Sequence, residues 1–427
     1  MYLSEIARAV GGRLIGRDKR VRGLFHDSRN PIKDGLFIAI RGEKFDGHRF
    51  VGEALDRGAV GALVSRVPQG VSGNFVLVED TLEALRRLAI HYRENYLTET
   101  RIIAIGGAAG KTTTKEMLHR VLSSRYRSHR SPRSFNNHIG VPLTLLNTPQ
   151  DTEILIAEVG TNHPGEVKSL VNILRNEYGL LTNIGPEHIE FFRSLEAIAR
   201  EESHVFLHAR VGFMRRRDYE LFSNAMILPE EIHFPRSLEE ALKEARRMDI
   251  GVLYRDIRFP NVAWLENALL VEVVGRHFGI EEPLNHLRDF RSESMRMEIL
   301  ERNGMTIIND AYNSNPLSLE ALFMSVKPSG ENLFVLGDML ELGDFSERYH
   351  REMGRKFLEY SHRHTILIGD YMRYFYEEIK GREGVFAEHF PSVEKAIPRI
   401  KEILPRYRRL ILKGSRGIGL ERILNHI

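Results

Sequence analysis

The chain has 427 residues, 42% of them apolar and 28% charged, with a formal net charge of +3 and no cysteine. Its length suggests two to four domains with buried cores, and the lack of cysteine excludes disulfides, thiolate metal sites and thiol nucleophiles. The small basic excess gives no argument for nucleic acid, no apolar run reaches the roughly 18–20 residues of a membrane span, and the start MYLSEIARAVGG has an early acid and no long apolar region, so neither a signal peptide nor a membrane anchor is expected.

Residues 1–98 carry short apolar stretches, GLFIAI (35–40) and GALVS (61–65), around the helix-like EALDRGA, and read as a small α/β unit. TLEALRRLAIHYRENYL (81–97) has helical spacing and closes that unit. From Arg101, apolar strands alternate with helical stretches: RIIAIGG, KEMLHRVLSSR, ILIAEVG (154–160) and LLTNIG (180–185). That alternation predicts a parallel sheet with crossover helices. Residues 207–262 are less regular and contain a charged helix, SLEEALKEARRM; the run Arg215–Arg217 is expected to be a solvated face. ENALLVEVVGRHFG (266–279) is again helical. A third unit starts near Met297, where EIL and MTIIND pair as strands, LSLEALFMSV is a helix, and NLFVLGDM, HTILIGD and RLILKGSRG are further strands. Ligands sit beyond the polar ends of such strands. There is no fixed-period repeat or low-complexity tract.

The stretch IAIGGAAGKTTTKE (103–116) has the layout of a phosphate-binding loop. Gly107, Ala108, Ala109 and Gly110 let backbone N–H groups approach phosphate, and the following helix adds a positive N-terminus. Lys111 is placed to reach β- and γ-phosphates, Thr112 to ligate magnesium, and Thr113 to follow in the same turn. Ile105 stands where the longer G-x-x-x-x-G-K form has glycine, so the loop meets the shorter G-x-x-G-K-T form. EVGTNHPGE (158–166) ends the next strand, with Glu158 placed to hold magnesium opposite Thr112. NIGPEHIEFF (183–192) presents His188 between acids, a candidate for a metal or phosphate role. NDAYNSNP (309–316) and GDMLELG (337–343) lie at strand ends of the third unit. Asp310 is a candidate to orient a ribose or phosphate-bound magnesium, and Asn313 and Asn315 are either ligands or ordinary turn formers. The residues alone therefore point to an ATP-using, magnesium-dependent enzyme.

The ordered set DSR (27–29), GLFIAIRGEKFDGH (35–48), GGAAGKTTTKE, FNNHIGVPLTLLN (135–147), EVGTNHPGE, NIGPEHIE, NDAYNSNP, GDMLELG and LKGSRG (412–417) resembles the Mur ligases, in the branch that adds D-alanyl-D-alanine. The resemblance implies an α/β, three-domain architecture: 1–98 binding a UDP-linked substrate, 99–296 a central ATP-binding phosphate-loop domain, and 297–427 a C-terminal Rossmann-like domain. It implies ATP-dependent joining of D-Ala-D-Ala to a UDP-N-acetylmuramoyl tripeptide through an acyl phosphate, in peptidoglycan precursor synthesis, by a cytoplasmic monomer. By matching position, Ser28, Arg29, Phe45, Asp46 and His48 fall in the uridine-binding region, and Asn137, Asn162, His163, Asn313 and Asn315 in substrate-binding segments. Lys111 would contact the β/γ-phosphates, Thr112 and Glu158 one magnesium, and His188 the other. Asn267, Arg296 and Asp310 would contact the nucleotide.

Three departures stand out. The family has a carbamylated lysine near the second magnesium, and in IAREESHVF (198–206) Glu202 falls there. Glu202 is expected either to supply the carboxylate itself, through a bridging water, or to be a solvated helix residue. Of the family's H-N-x-x-N adenine motif only Asn267 remains; Ala263 and Trp264 take the earlier places, and Trp264 is expected to fill core rather than stack on adenine. The β-rich part of the central domain is compressed into 207–262, and SESMRME (292–298) lacks the glycine usual before Arg296. Two other readings stay open: a related ligase of another pathway, acting on pseudomurein peptides or a methanogen nickel-tetrapyrrole cofactor, and a non-catalytic nucleotide-binding homologue.

Overall fold

The computed structural model describes residues 1–42, 45–132, 134–291 and 294–427. Glu43 and Lys44 of GLFIAIRGEKFDGH and Ser292 and Glu293 of SESMRME lie outside the described residues.

The first apolar stretches build a five-stranded sheet in the order Leu24–Phe25, Leu36–Ile38, Gly61–Val64, Phe75–Leu77, Arg13–Ile15. All neighbours are parallel except the last pair. EALDRGA supplies the helix Val51–Asp56, and 81–97 the helix Thr81–Tyr96. Asp80 starts the latter by accepting the N–H groups of Leu82 and Glu83. Arg93 on that helix is buried and donates to the carbonyls of Leu174 and Thr100 and to Glu177 at 2.6 Å. The first sheet's outer strand is closed in turn by Asn147, whose amide both accepts from Leu24 N–H and donates to its carbonyl at 2.9 Å. Polar bonds therefore fix the first unit onto the second.

The second sheet is wholly parallel, in the order Glu231–His233, Val211–Met214, Tyr178–Leu181, Arg101–Gly106, Ile154–Glu158, Ser128–Arg130. Its central strand is a continuous apolar run, Ile102 to Ile105, fully buried as a strand covered on both faces must be. The chain order runs to one side of Arg101–Gly106 for the 128–158 strands and to the other for the 178–233 strands. This is the topological switch point at which a crevice opens beyond the strand ends, and the glycine-rich loop leaves the sheet there.

Residues 207–262 are more ordered than the sequence suggests. Two strands of the second sheet lie there, and the predicted helix ends at Glu244, after which Arg246–Arg247 joins Val252–Tyr254 and Ile257–Phe259 in a small antiparallel sheet. This sheet is tied to the third unit: Gly251 N–H donates to Ser325 O at 2.7 Å, Lys327 N–H to Asp249 O at 2.9 Å, and Val262 N–H to Ser325 Oγ at 2.9 Å. The last sheet has the order Glu298–Arg302, Met305–Asp310, Arg409–Lys413, Asn332–Gly337, His364–Ile368, Phe386–Phe390, antiparallel only at its first pair. Among the described residues no helix is long and apolar enough to cross a membrane.

Candidate functional site

A cavity of about 920 Å³ lies between the C-terminal strand ends of the second and last sheets. One wall is the loop Ala108–Thr113, with Glu158, Asn183, Glu187 and His188; the other carries Arg296, Asp310, Asn313, Asn315 and Lys413.

Two glycines shape the loop by need. Gly107 has φ 115° and a Cβ there would lie 2.3 Å from Thr182 Oγ1; Gly110 has φ 82° and a Cβ there would lie 2.6 Å from Asn267 Nδ2. L-residues resist that backbone region, and the second contact shows why Asn267, buried in the helix Val262–His277, abuts the loop. The loop is held from below. Ala108 N–H donates to Asn183 O at 3.0 Å, Ala109 N–H to Asn183 Oδ1 at 2.9 Å, and Gly107 N–H to Glu202 Oε2 at 2.6 Å.

Lys111 begins the helix Lys111–Leu122, whose N-cap is Gly110. Its ammonium donates to the Gly107 carbonyl and pairs with Glu187 Oε2 at 3.3 Å. Burial works against its charge, but Glu187, Glu202 and Glu158 outweigh burial and hold its pKa above the ordinary lysine value. Thr112 Oγ1 donates to Glu158 Oε2 at 3.0 Å, and Asn136 Nδ2 donates to Glu158 Oε1 at 3.1 Å. Buried Lys115 lies 3.6 Å from the same carboxylate. Hard oxygen donors thus meet at a cavity wall, a donor set that suits magnesium, which takes few protein carboxylates and fills its shell with phosphate and water.

His188 sits at φ 52°, and its Nδ1 lies 2.8 Å from Glu341 Oε2 of GDMLELG. Burial lowers its pKa, yet Glu341 and Glu187 prevail and raise it. Asp338 of the same motif is turned away from the cavity, where it accepts Met372 N–H at 2.7 Å, and burial raises its carboxyl pKa.

On the facing wall, Asp310 pairs with buried Lys413 at 2.7 Å and accepts Met297 N–H at 3.0 Å. Arg296 lies between Met295 (φ 63°) and Met297 (φ 54°). Its guanidinium stands 3.8 Å over the Tyr312 ring and reaches Ser134 Oγ at 3.4 Å across the cavity mouth. Asn315 caps the helix Pro316–Ser325 by accepting Ser318 N–H at 2.9 Å, and Asn313 Oδ1 accepts Ser314 N–H at 2.9 Å. Both are turn formers that also line the cavity.

The structure brings together Ala108, Ala109, Gly110, Lys111, Thr112, Thr113, Glu158, His188, Asn137, Asn162, Asn267, Arg296, Asp310, Asn313 and Asn315 on one cavity. His163 lies off that wall and packs on Phe191 at 4.5 Å. Ser28, Arg29, Phe45, Asp46 and His48 lie on the first unit, away from the cavity lining. Ser28 Oγ donates to Glu53 at 3.0 Å, Arg29 pairs with Asp27 at 2.9 Å, and exposed Phe45 stacks on Phe50 at 5.1 Å.

Two expectations change and one holds. Glu202 is buried rather than solvated, because Gly107 N–H and Lys111 draw its carboxylate under the loop, and it is behind the cavity wall rather than on it. Arg215 is not part of a solvated face: it turns inward to pair with Glu266 at 2.6 Å and Asp218 at 3.1 Å, while Arg216 stacks over Phe234. Trp264 fills core, as expected, packing 5.4 Å from Phe290 with one edge on the cavity. Sequence reading missed Glu187, Asn136 and Lys413. The first lay inside the quoted NIGPEHIE motif, and its acid beside the singled-out histidine was the available signal.

With this geometry in place, comparison with known proteins is informative. Residues 105–246 match the Mur ligase middle domain, and 295–416 match the Mur ligase glutamate ligase domain. The chain is 32% identical to the UDP-N-acetylmuramoyl-tripeptide–D-alanyl-D-alanine ligase of Bacillus subtilis, covering 100% of this chain and 98% of that one. Its fold is similar to MurF from Acinetobacter baumannii (TM-score 0.83, 24% identity, 99% and 97% of the two chains). It is also similar to MurF ligase from Thermotoga maritima in complex with ADP (TM-score 0.76, 23% identity, 95% and 97%).

Proposed function

The chain belongs to the Mur ligase family, and from that premise we propose that it joins D-Ala-D-Ala to a UDP-N-acetylmuramoyl tripeptide at the expense of ATP, a step of peptidoglycan precursor synthesis. The observation that carries this is the convergence of Lys111, Thr112 and Glu158 on one wall of a cavity whose other wall comes from the last sheet. A site between two units can hold a nucleotide on one side and deliver its γ-phosphate to an acceptor held by the other.

In this reading the tripeptide carboxylate attacks the γ-phosphate of ATP, displacing ADP and forming an acyl phosphate, and the dipeptide amine then attacks its carbonyl carbon, forming the amide bond and releasing phosphate and a proton. The gain is chemical: a carboxylate is a poor acylating agent and an acyl phosphate a good one. Lys111 would contact the β- and γ-phosphates, Thr112 and Glu158 would hold a magnesium ion, and His188 would help hold a second. Magnesium, when bound, neutralises the crowded phosphate oxygens. Gly107, Gly110 and Thr113 shape and extend the phosphate cradle, Asn267 fixes it from the adenine side, and Arg296 and Asp310 approach the nucleotide from the facing wall. Asn137, Asn162, His163, Asn313 and Asn315 flank the peptide path, and Ser28, Arg29, Phe45, Asp46 and His48 form the region for the UDP end. Residues 1–98, 99–296 and 297–427 are taken as the three working units. The ADP-bound relative supports nucleotide binding, the use of ATP supports a cytoplasmic location, and the working form is taken to be the monomer that the family resemblance implies. Most of the catalysis is positioning and charge stabilisation in a site closed to water.

ADP release measured with UDP-muramoyl tripeptide and D-Ala-D-Ala, each omitted in turn, tests the reading. Dependence on both is expected. Turnover without D-Ala-D-Ala would reject it in favour of a ligase of another pathway, and ATP binding without substrate-stimulated turnover would favour a non-catalytic homologue.

A further inference from the structure

We propose that Glu187 is the carboxylate that works on the cavity side of the phosphate loop, facing the divalent cation that accompanies the nucleotide, while Glu202 positions the loop from behind. This rests on the reading that the cavity takes a magnesium-bound adenine nucleotide.

Lys111 is ringed by three carboxylates, and the structure distinguishes them. Glu158 is on the wall, and its two oxygens are shared among Thr112 and Asn136, with Lys115 beside it. Glu202 is off the wall and wholly enclosed. Its Oε2 is committed to Gly107 N–H at 2.6 Å and lies 3.0 Å from where a Gly106 Cβ would sit, so it packs directly on the loop backbone. Glu187 is on the wall; Oε2 faces Lys111 at 3.3 Å, and among the described residues Oε1 has only a long 3.5 Å contact from Asn313 Nδ2. An ionised carboxylate has about four lone-pair positions, and Glu187, unlike Glu202, presents its weakly held oxygens on the cavity wall. The left-handed turn at His188 separates the two neighbours: His188 goes to Glu341 and Glu187 to Lys111.

Lys111 therefore already holds an anion on the cavity side. A phosphate arriving at Lys111 replaces Glu187 as its partner and leaves that carboxylate beside phosphate oxygens. Like charges at such range repel strongly in a partly dry site. A divalent cation between them turns the repulsion into shared coordination, because magnesium accepts carboxylate and phosphate oxygens together. Glu202 is off the cavity wall, held behind the loop by Gly107 N–H, and does not face the ligand.

The full chain is titrated with ADP by calorimetry, in EDTA and at rising magnesium, and Mn²⁺ retained with ADP is read by electron paramagnetic resonance. Failure of the wild-type protein to bind ADP at all overturns the underlying reading before any variant is made. In E187Q the magnesium concentration giving half-maximal ADP binding is expected to rise roughly tenfold or more, the scale of losing a metal-site partner, and the Mn²⁺ signal to fall. Metal-free ADP binding in E187Q is unchanged or tighter, since Lys111 loses its competitor. E202Q keeps the volume and an acceptor; it weakens ADP binding equally with and without metal and leaves the magnesium requirement alone. E187D, with a carboxylate one methylene shorter, gives an intermediate shift and stands in if E187Q does not fold. A wild-type magnesium requirement in E187Q or E187D, or a shifted requirement confined to E202Q, overturns the proposal.

Discussion

The cavity wall and the first unit treat their polar residues differently. On the wall, Lys111, Glu187 and Glu158 take other polar side chains as partners, across long or shared contacts of 3.0–3.6 Å, with one backbone bond from Lys111 to the Gly107 carbonyl. On the first unit, His48 is buried and used at both nitrogens: Nε2 accepts Ser65 N–H at 3.0 Å, which leaves Nδ1 to donate to Asp46 at 2.7 Å. His350, in the last unit, resembles His48, whereas His362 is held through one nitrogen, its buried Nδ1 having no hydrogen-bond partner among the described residues. His350 accepts Met339 N–H at 3.1 Å and His362 lies 2.9 Å from the Phe323 carbonyl. Charged groups that hold one another loosely beside a cavity can exchange partners for a ligand. Groups locked to backbone cannot, and their removal is felt as lost stability.

The largest effect expected from this contrast is at Lys111. Lys111→Met removes the phosphate partner and its bond to the Gly107 carbonyl, and keeps the loop's lower bonds to Asn183 and Glu202. Substrate-dependent ADP release should fall by roughly 100- to 1000-fold, the scale of losing one preorganised stabiliser of developing charge, while the melting temperature stays near wild type. A large drop in melting temperature would mean that Lys111 is structural and would erase the distinction.

The backbone-locked histidines give the next effect, through pH. Burial lowers the pKa of His350 and of His362 to about 4 from an ordinary 6.5. The unfolded chain then binds more protons than the folded one below 6.5. Stability is complete above pH 6.5, is lost as pH falls from 6.5 towards 4, and levels off below that. Each group can cost up to about 3 kcal/mol across this window, at 1.36 kcal/mol per pKa unit. Urea melts at pH 7.5 and 4.5 on wild type and on His362→Gln check it. The variant should be less stable at pH 7.5 and lose less on acidification; an equal acid loss would remove His362 from the account.

Much of the fold was legible because its signals are local. Ile102–Ile105 is a continuous apolar run before a glycine-rich turn, and GGAAGKT fixes where helix and loop meet. Residues 207–262 were not, since strands of three or four residues such as Val211–Met214 and Ile257–Phe259 are too short to show a period. The phosphate side of the site was legible for the same local reason, residue types at fixed offsets from one loop. The partners of Glu187 and Lys413 were not, because a charge beside a loop 76 residues away, or beneath an aspartate 103 residues away, leaves no spacing to read. Glu202 was found by position with two environments left open; a helix of composition LEAIAREE allows the solvated one, whereas tertiary packing buries its last two acids, Glu201 on Gly165 and Val167 N–H groups and Glu202 on Gly107.

The smallest effect is the sharpest test of the contrast, because it falls on a residue that the resemblance assigns to substrate. His48→Ala deletes an acceptor for Ser65 N–H and a donor to Asp46, leaving both without that partner in a half-buried turn. The cost should be roughly 1–3 kcal/mol of folding stability, the penalty for stranding buried polar groups. Asp46 also accepts His48 N–H at 3.0 Å and pairs with Arg66, so the turn carrying Phe45 loosens without collapsing. A residue that acts through a turn changes stability first and the KM for the UDP-linked substrate only in proportion. A residue that touches the nucleotide raises that KM at unchanged stability. Measuring both on His48→Ala, with exposed Arg29→Ala alongside, separates the two. Arg29→Ala should leave stability within about 0.5 kcal/mol, as an exposed ion pair allows, so any rise in KM it causes reports a contact with substrate. If His48→Ala instead raises KM with no loss of stability, the first unit is arranged like the cavity wall after all, with a side chain held ready for a ligand.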